Sequence, residues 1–308
     1  MHLGFSLPVA GAWATAENQV RVAQRAEALG YHSLWVLQRL LYAHQPQNDY
    51  PPMPGQPWPA AFKRVWDPTV SLAFVAGQTS RIRLGTSVLI MPYYTPILLA
   101  THLATLDQVS RGRLDVGLGI GWSMDEYEAS GVEFKQRGKR GDEFLRCLKA
   151  IWTEEVVDFQ GEFYRVPRST VEPKPVQKPH PPITVGGYGP TVVKRAVTLG
   201  DGFNGGNMPL ERVAPLVAEI QAAGRAHGRD PKELHIVCRG TFSVQASAQG
   251  KDRRPLFGTI QEIRADVQRY AELGLTELFL EANLTCADWP IEKTLDVMAA
   301  LAPGAAGT

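Results

Sequence analysis

A short unit recurs along this chain, and it constrains the fold more than any other feature. Ala26-Glu27-Ala28-Leu29-Gly30 leads into Tyr31-His32-Ser33-Leu34-Trp35-Val36, and far later Ala271-Glu272-Leu273-Gly274 leads into Leu275-Thr276-Glu277-Leu278-Phe279-Leu280. A weaker copy, Ala196-Val197-Thr198-Leu199-Gly200, precedes Asp201-Gly202-Phe203-Asn204. Each reads as a helix stopped by Gly at its C′ position and followed at once by a buried strand. Repetition of helix, Gly and strand is the pattern of a parallel α/β protein. The helices between are amphipathic: Leu99, Leu103 and Leu106 share a face, as do Phe144, Leu148, Ile151 and Trp152, and Val213, Leu216, Val217 and Ile220. Thr95-Pro96 reads as a helix start with a hydroxyl cap and Pro at N1. Strands are expected near 3–7, 33–37, 82–89, 114–119, 183–187, 202–204, 234–243 and 276–281. Eight strands with helices between them predict a (β/α)₈ TIM barrel; an open doubly wound sheet is the alternative. The 308 residues are read as one domain, 1–308.

Two segments break the rhythm. Residues 40–68 are rich in Pro, Tyr and Trp, and 155–182 carry an expected hairpin around Asp158–Tyr164 and then a Pro-rich run. Insertions of this length are commonly lids or binding loops. The alternative is that both simply cover the barrel flank.

Residues 82–122 form one βαβ unit in which a buried strand, a sharp loop, a helix and a second buried strand end in Gly117-Leu118-Gly119-Ile120-Gly121. Ligands of parallel barrels bind at the carboxyl ends of the strands, and small residues there let a flat ligand lie on the backbone. The Gly spacing is no dinucleotide fingerprint, because the third Gly of G-x-G-x-x-G is missing and no helix opens within it. A second Gly-rich strand end, Val185-Gly186-Gly187-Tyr188-Gly189-Pro190, runs into a helix start. Free N–H groups at a helix N-terminus, together with successive glycine amides, make an anion nest.

A net charge of +1 gives no global field for nucleic acid or acidic membranes. There is no apolar run of 18 residues to span a bilayer, and no basic leader followed by a long apolar core. Cys147, Cys238 and Cys286 are too far apart for zinc and fit buried thiols in a reducing cytoplasm. No two histidines have metal-ligand spacing, so no metal is expected. G-x-S-x-G and the P-loop are absent.

Leu84-Gly85-Thr86-Ser87-Val88, Leu106-Asp107-Gln108-Val109-Ser110-Arg111-Gly112-Arg113-Leu114 and the pair formed by Val185–Pro190 and Gly200–Phe203 resemble the signature of the bacterial-luciferase-like oxidoreductases. The resemblance runs to about residue 285. It implies a barrel that binds a flavin-type cofactor non-covalently and transfers a hydride or activates oxygen. It further implies a non-proline cis peptide at Ser87–Val88 supporting the cofactor ring, a turn at Gly119 and Gly121 passing beside it, and a phosphate site at Gly186, Gly187, Tyr188 and Gly189 with Gly205 and Gly206 behind the next strand. Asp107 and its neighbouring arginines are expected to form a structural network.

At the end of strand 2, relatives carry an acid before His or Arg, whereas this chain has Gln38 before Arg39. Gln offers an amide to the ring but cannot take a proton. Arg39 can stabilise negative charge on a reduced cofactor or a substrate oxygen, or else pair with a lid carboxylate such as Asp49. Trp122 stands where sugar-phosphate dehydrogenases of the group carry Glu, which argues against that chemistry and for packing on the ring or shaping the pocket. Glu126 and Tyr127 are read as caps of the following helix, and His44, in the lid, as a proton donor to substrate.

Leu-Trp-Val near strand 2 and Gly-Gly-Tyr-Gly-Pro look like the group that uses the deazaflavin coenzyme F420, whose oligoglutamate tail would meet the basic loop Lys251-Asp252-Arg253-Arg254. The alternatives are FMN, with the chain as the oxygenase half of a two-component monooxygenase, and a non-catalytic flavin-binding protein. The expected partners are a small hydrophobic or carbonyl-containing substrate, a flavin or F420 reductase and a second copy in a homodimer, in the cytoplasm.

Overall fold

The computed structural model describes residues 1–250 and 252–304. The elements follow in the order β1 (His2–Ser6), α1 (Ala16–Ala28), β2 (Ser33–Val36), α2 (Pro68–Ala76), β3 (Arg83–Thr86), β4 (Leu89–Ile90), α3 (Pro96–Ser110), β5 (Leu114–Gly119), α4 (Met124–Ala129) and α5 (Arg137–Thr153). Next come β6 (Val157–Gln160), β7 (Arg165–Ser169), β8 (Ile183–Gly186), α6 (Pro190–Thr198), β9 (Gly202–Gly206), α7 (Leu210–Ala226), β10 (His235–Thr241), β11 (Ser243–Val244), β12 (Phe257–Gly258), α8 (Ile260–Glu272), β13 (Glu277–Glu281) and α9 (Ile291–Ala300).

Eight parallel strands, β1, β2, β3, β5, β8, β9, β10 and β13, pair in that circular order. Phe5 lies beside both Leu34 and Leu280, and the ring closes where Leu84 of β3 meets Leu114 of β5. The sheet is therefore a closed barrel rather than an open doubly wound sheet. The strands are largely apolar on both sides, as a parallel sheet covered by helices is, with polar side chains such as Glu277, Asn204 and Thr184 inside the barrel. The helical stripes read from the sequence, such as Leu99, Leu103 and Leu106, are buried against the barrel. At the amino-terminal floor of the barrel, Trp35 stacks on Phe279 at 5.1 Å, and its indole N–H donates to Glu277 at 2.8 Å.

Several expectations are corrected in detail. Residues 82–89 are not one strand: the ladder stops at Thr86 and resumes at Leu89, either side of Ser87–Val88, whose peptide is cis. Gly30 and Gly274 take positive φ as C′ glycines do, at +81° and +94°, but Gly200 does not. Gly200 is required by crowding instead, since a Cβ there would lie 3.0 Å from the Ile183 carbonyl. The Thr95 hydroxyl makes no capping bond, and the fixed φ of Pro96 starts α3 alone. Asp107 contacts no arginine directly and reaches Arg83 through Gln177, whose Oε1 accepts from Arg83 Nη2 at 3.2 Å. It accepts the backbone and side-chain N–H groups of Gln177, at 3.0 and 2.8 Å, because Arg113 is occupied by the Ala76 and Ile82 carbonyls. The hairpin predicted within 155–182 is β6–β7, and it packs on α5 at the flank. Among the described residues no helix is long and apolar enough to cross a membrane.

Candidate active site

A cavity of about 320 Å³ opens at the carboxyl ends of the strands. Its base is a set of interlocked backbone and side-chain bonds. The Thr86 hydroxyl donates to the Gly117 carbonyl at 2.8 Å and accepts the Gly117 N–H at 2.9 Å, tying β3 to β5. Ser87 Oγ donates to Asn204 Oδ1 at 2.8 Å, and Asn204 Nδ2 reaches Thr184 Oγ1 at 3.2 Å. Four strands thus hold the turn at Ser87–Val88. Gly119 and Gly186 make room for it: a Cβ on either would lie 2.7 Å from a Val88 methyl. The result is a raised, smooth, apolar step in the cavity floor.

One end of the cavity is the loop between β8 and α6. Gly186, Gly187 and Tyr188 line the wall, while Tyr188, Gly189 and Pro190 are exposed, so the nest lies at an open lip. Gly189 is the N-cap of α6 and stands outside the cavity lining. Arg137, in the first turn of α5, lines the same cavity. The α5 turn lies against α6, where Arg195 pairs with Asp142 and donates to the Gly138 carbonyl at 3.3 Å. Arg137 Nη1 donates to the Phe134 carbonyl at 3.0 Å, and its enclosed Nε has no partner.

The other end is roofed by the 40–68 insertion. Tyr50, Pro51, Pro52 and Phe62 line the cavity, and Tyr50 and Trp58 pack on Trp122 with ring centroids 5.2 and 5.0 Å away. Trp122 therefore joins an aromatic box rather than a proton relay. Arg39 lies over the Trp122 ring at 4.8 Å and pairs with Glu126 at 3.1 Å. Its partner is thus Glu126 and not Asp49, which accepts from the Gly55 N–H.

Glu126 is corrected more deeply. Ser123 caps α4, and the fully buried Glu126 carboxylate crosses to the lid, where Oε1 accepts the Leu40 N–H at 2.7 Å and Oε2 the Tyr93 hydroxyl at 3.1 Å. Burial, with the Glu126 charge beside it, raises the Tyr93 pKa. Gln38 has its amide committed as well: its carbonyl accepts the Ile90 N–H at 2.7 Å and its nitrogen donates to the Tyr94 hydroxyl.

Gln38, Arg39, Ser87, Val88, Gly119, Gly121, Trp122, Gly186, Gly187, Tyr188, Gly205 and Gly206 are brought together around this one cavity. His44 is not: it is exposed and packs edge-on to Tyr42, so the structure does not bring it to the reacting end. Of the basic loop, Lys251 lies outside the described residues. Arg253 is engaged by Asp266 at 2.5 Å and Glu262 at 3.4 Å, and Arg254 lies over the Phe257 ring.

Arg239 was missed by the sequence reading, although one signal was legible: it is a lone cation in the buried strand Ile236-Val237-Cys238-Arg239-Gly240. Arg137 gave no signal, being one of a run of basic residues on a surface-like helix start. The lining as a whole contains three arginines and, among the described residues, no Asp, Glu, His or Lys. Such a wall suits an anionic ligand lying on an apolar step.

The sequence model of the luciferase-like monooxygenase family matches residues 1–273. An F420-dependent glucose-6-phosphate dehydrogenase of Kineococcus radiotolerans is 34% identical over 224 residues, 70% of this chain and 61% of that protein. An FMNH₂-dependent dimethylsulfone monooxygenase of Pseudomonas putida is 35% identical over 179 residues, 56% of this chain and 49% of that one. The solved structure of a monooxygenase from Streptomyces bottropensis superposes with a TM-score of 0.79 at 24% identity, covering 97% of this chain and 98% of that chain, a likeness of fold.

Proposed function

Because this chain belongs to the luciferase-like monooxygenase family, enzymes that include F420-dependent and FMNH₂-dependent oxidoreductases, we propose that it is an oxidoreductase that uses coenzyme F420, bound without a covalent link, for hydride transfer to or from a small organic substrate. The observation that carries this reading is the open lip at the phosphate end of the cavity with Arg137, unpartnered at Nε, lining the wall beside it. FMN ends at its phosphate. F420 continues from a phosphodiester into an anionic tail, which needs an exit and further cationic neighbours. The exposed lip at Tyr188–Pro190 supplies the exit, and Arg137 supplies a cation with an unpartnered N–H beside it.

The residues fit a flat, anionic heterocycle. The Val88 step and the bare backbone at Gly119 and Gly186 would support the ring, and the amides of Gly187–Gly189 at the start of α6 would take the phosphate. When bound, the deazaflavin supplies the carbon that donates or accepts the hydride. The chain's own contribution is orientation and exclusion of water. The step fixes one face of the ring, and Tyr50, Phe62 and Trp122 close the other side over an apolar substrate. Gln38 and Glu126 hold the lid and the strand ends and leave no carboxylate free in the wall.

A second reading, FMN-dependent monooxygenation with a partner reductase, has the Pseudomonas relative behind it. Fluorescence titration of the purified chain with F420 and with FMN, each oxidised and reduced, separates the two. Micromolar or tighter binding of F420, with FMN at least tenfold weaker, is the expected result. Preference for FMN would overturn the deazaflavin assignment, and binding of neither would remove the cofactor reading altogether.

A further inference from the structure

Three arginines line the cavity, and among the described residues one of them has an ion pair. Arg39 is neutralised by Glu126 at 3.1 Å. Arg137 lies against the phosphate end, stacked on Phe134 at 3.7 Å. Arg239 is different. It sits at the carboxyl end of β10, with β9 between it and the β8–α6 nest, about 10 Å round the wall at the usual strand spacing. Its guanidinium lies on Gly206, where a Cβ would come 2.7 Å from Nη2. The guanidinium makes no ion pair or hydrogen bond among the described residues, and its Nε is enclosed without a partner.

Burial works against the Arg239 charge, yet its pKa is held above the ordinary value, with Glu281 the carboxylate that acts on it. Glu281 does not neutralise it at contact, being held by the Asn283 backbone and side-chain N–H groups at 2.6 and 2.9 Å. A half-buried guanidinium without an anion at contact is costly, and its planar fork matches carboxylate and phosphate oxygens. The neighbours Tyr50 and Tyr188 open towards the aromatic lid.

We propose that Arg239 anchors the substrate by an anionic group, a carboxylate or phosphate ester carried on an aromatic or otherwise apolar body that fits beneath Tyr50, Phe62 and Trp122. This names the substrate class for the oxidoreductase reading above and rests on it. The anchor stands on β10, across β9 from the Gly186–Gly187 end of the nest, and one molecule places its charge on Arg239 and its reactive carbon over the Val88 step.

The test is calorimetric titration of the full chain, with and without F420, using benzoate, phenyl phosphate and the neutral benzamide as probes. The native chain is expected to bind at least one of the two anions tenfold or more tighter than benzamide. Arg239→Gln is expected to erase that preference while F420 affinity stays within twofold. Arg239→Lys keeps the charge but not the fork, so a weakened preference is expected to remain. If the Gln variant does not fold, the Lys variant decides, through about a tenfold loss for the favoured anion with benzamide unchanged. Three results would overturn the proposal: no anion preference in the native chain, a preference that survives in the variants undiminished, or a tenfold loss of F420 affinity in Arg239→Gln, which would give Arg239 to the cofactor. Failure of the oxidoreductase reading is separate, because it appears as a native chain that binds neither F420 nor FMN, whereas the anion titration runs on the cofactor-free chain.

Discussion

Arg39 and Glu126 have been withdrawn from water together, with side-chain exposures of 8% and 0%. Removing one partner of such a pair strands the other charge in the interior, which costs about 3 kcal/mol or more. Arg39→Ala is therefore expected to unfold at lower urea, with an unchanged slope, rather than to fold normally and turn over slowly. Adding Glu126→Gln should recover part of the loss, because the stranded charge goes with it. Equal stability of Arg39→Ala and the native chain would mean that the pair is solvated. The same residues mark where sequence reading stops. The Gly-rich strand ends were legible as small residues on which a flat ligand can lie, whereas the Ser87–Val88 peptide was implied by the family resemblance alone. Glu126 read as a helix cap, since Ser123-Met124-Asp125-Glu126 also satisfies a local rule. Its real partners lie 86 and 33 residues away, in Leu40 and Tyr93, and no local pattern encodes them.

At the scale of elements, the strands at the barrel floor carry an opposed pair of titrations. Burial pushes the Glu277 carboxyl up to about 7; the Asp115 charge adds to this, while the Ser33 and Trp35 hydrogen bonds and the Arg83 charge pull the other way. A carboxyl raised on folding stabilises most below its unfolded value, and that stability is lost as pH climbs through about 7. His32, stacked on His2 at 3.7 Å, is pushed down to about 4 by burial and then by the His2 charge. Its contribution has the opposite sign: stability is present above the unfolded value near 6.5 and is lost as pH falls towards 4. The two slopes oppose each other between about 4.5 and 6.5. Glu277→Gln keeps an acceptor for Trp35 and removes one slope. Its stability is expected to rise more steeply from pH 5 to pH 7 than that of the native chain, measured as the urea midpoint at each pH. Parallel profiles would place the Glu277 titration outside folding. None of this floor was legible as a unit, because β2 and β13 are about 240 residues apart. What was legible was each strand alone, through its run of apolar residues, and the lid only as a Pro- and aromatic-rich insertion. Such composition says that a loop packs, but not that Tyr50 and Phe62 pack over the strand ends.

For the whole molecule, eight strands with helices between them predicted the barrel but left an open sheet as the alternative, and the pairing of β3 with β5 closes it; closure also leaves an outer surface whose use the strand pattern does not encode. α2 has apolar residues on its outer face as well as its inner one: Val70, Ala73, Phe74 and Gly77 all point outward. Val70 is 67% exposed and Phe74 40%, and on the adjoining α3 Leu98 is 57% and Val109 51% exposed. A helix that is apolar all round belongs in an interior, and apolar residues exposed on two neighbouring helices are what an isologous interface buries. We propose that two copies of the chain pair through α2 and α3, which also shields an otherwise aggregation-prone surface. In sedimentation velocity the native chain is expected to run as a dimer, and Val70→Lys with Phe74→Lys as a monomer of unchanged secondary structure, since neither residue contributes to the buried core of the barrel. The interface lies at the helical wall, away from the cavity at the strand ends. The monomeric variant should therefore still bind F420 with native affinity, and a loss of cofactor binding on dissociation would mean that the second copy completes the site. A native chain that sediments as a monomer at tens of micromolar would leave α2 as an exposed apolar face and sink the pairing.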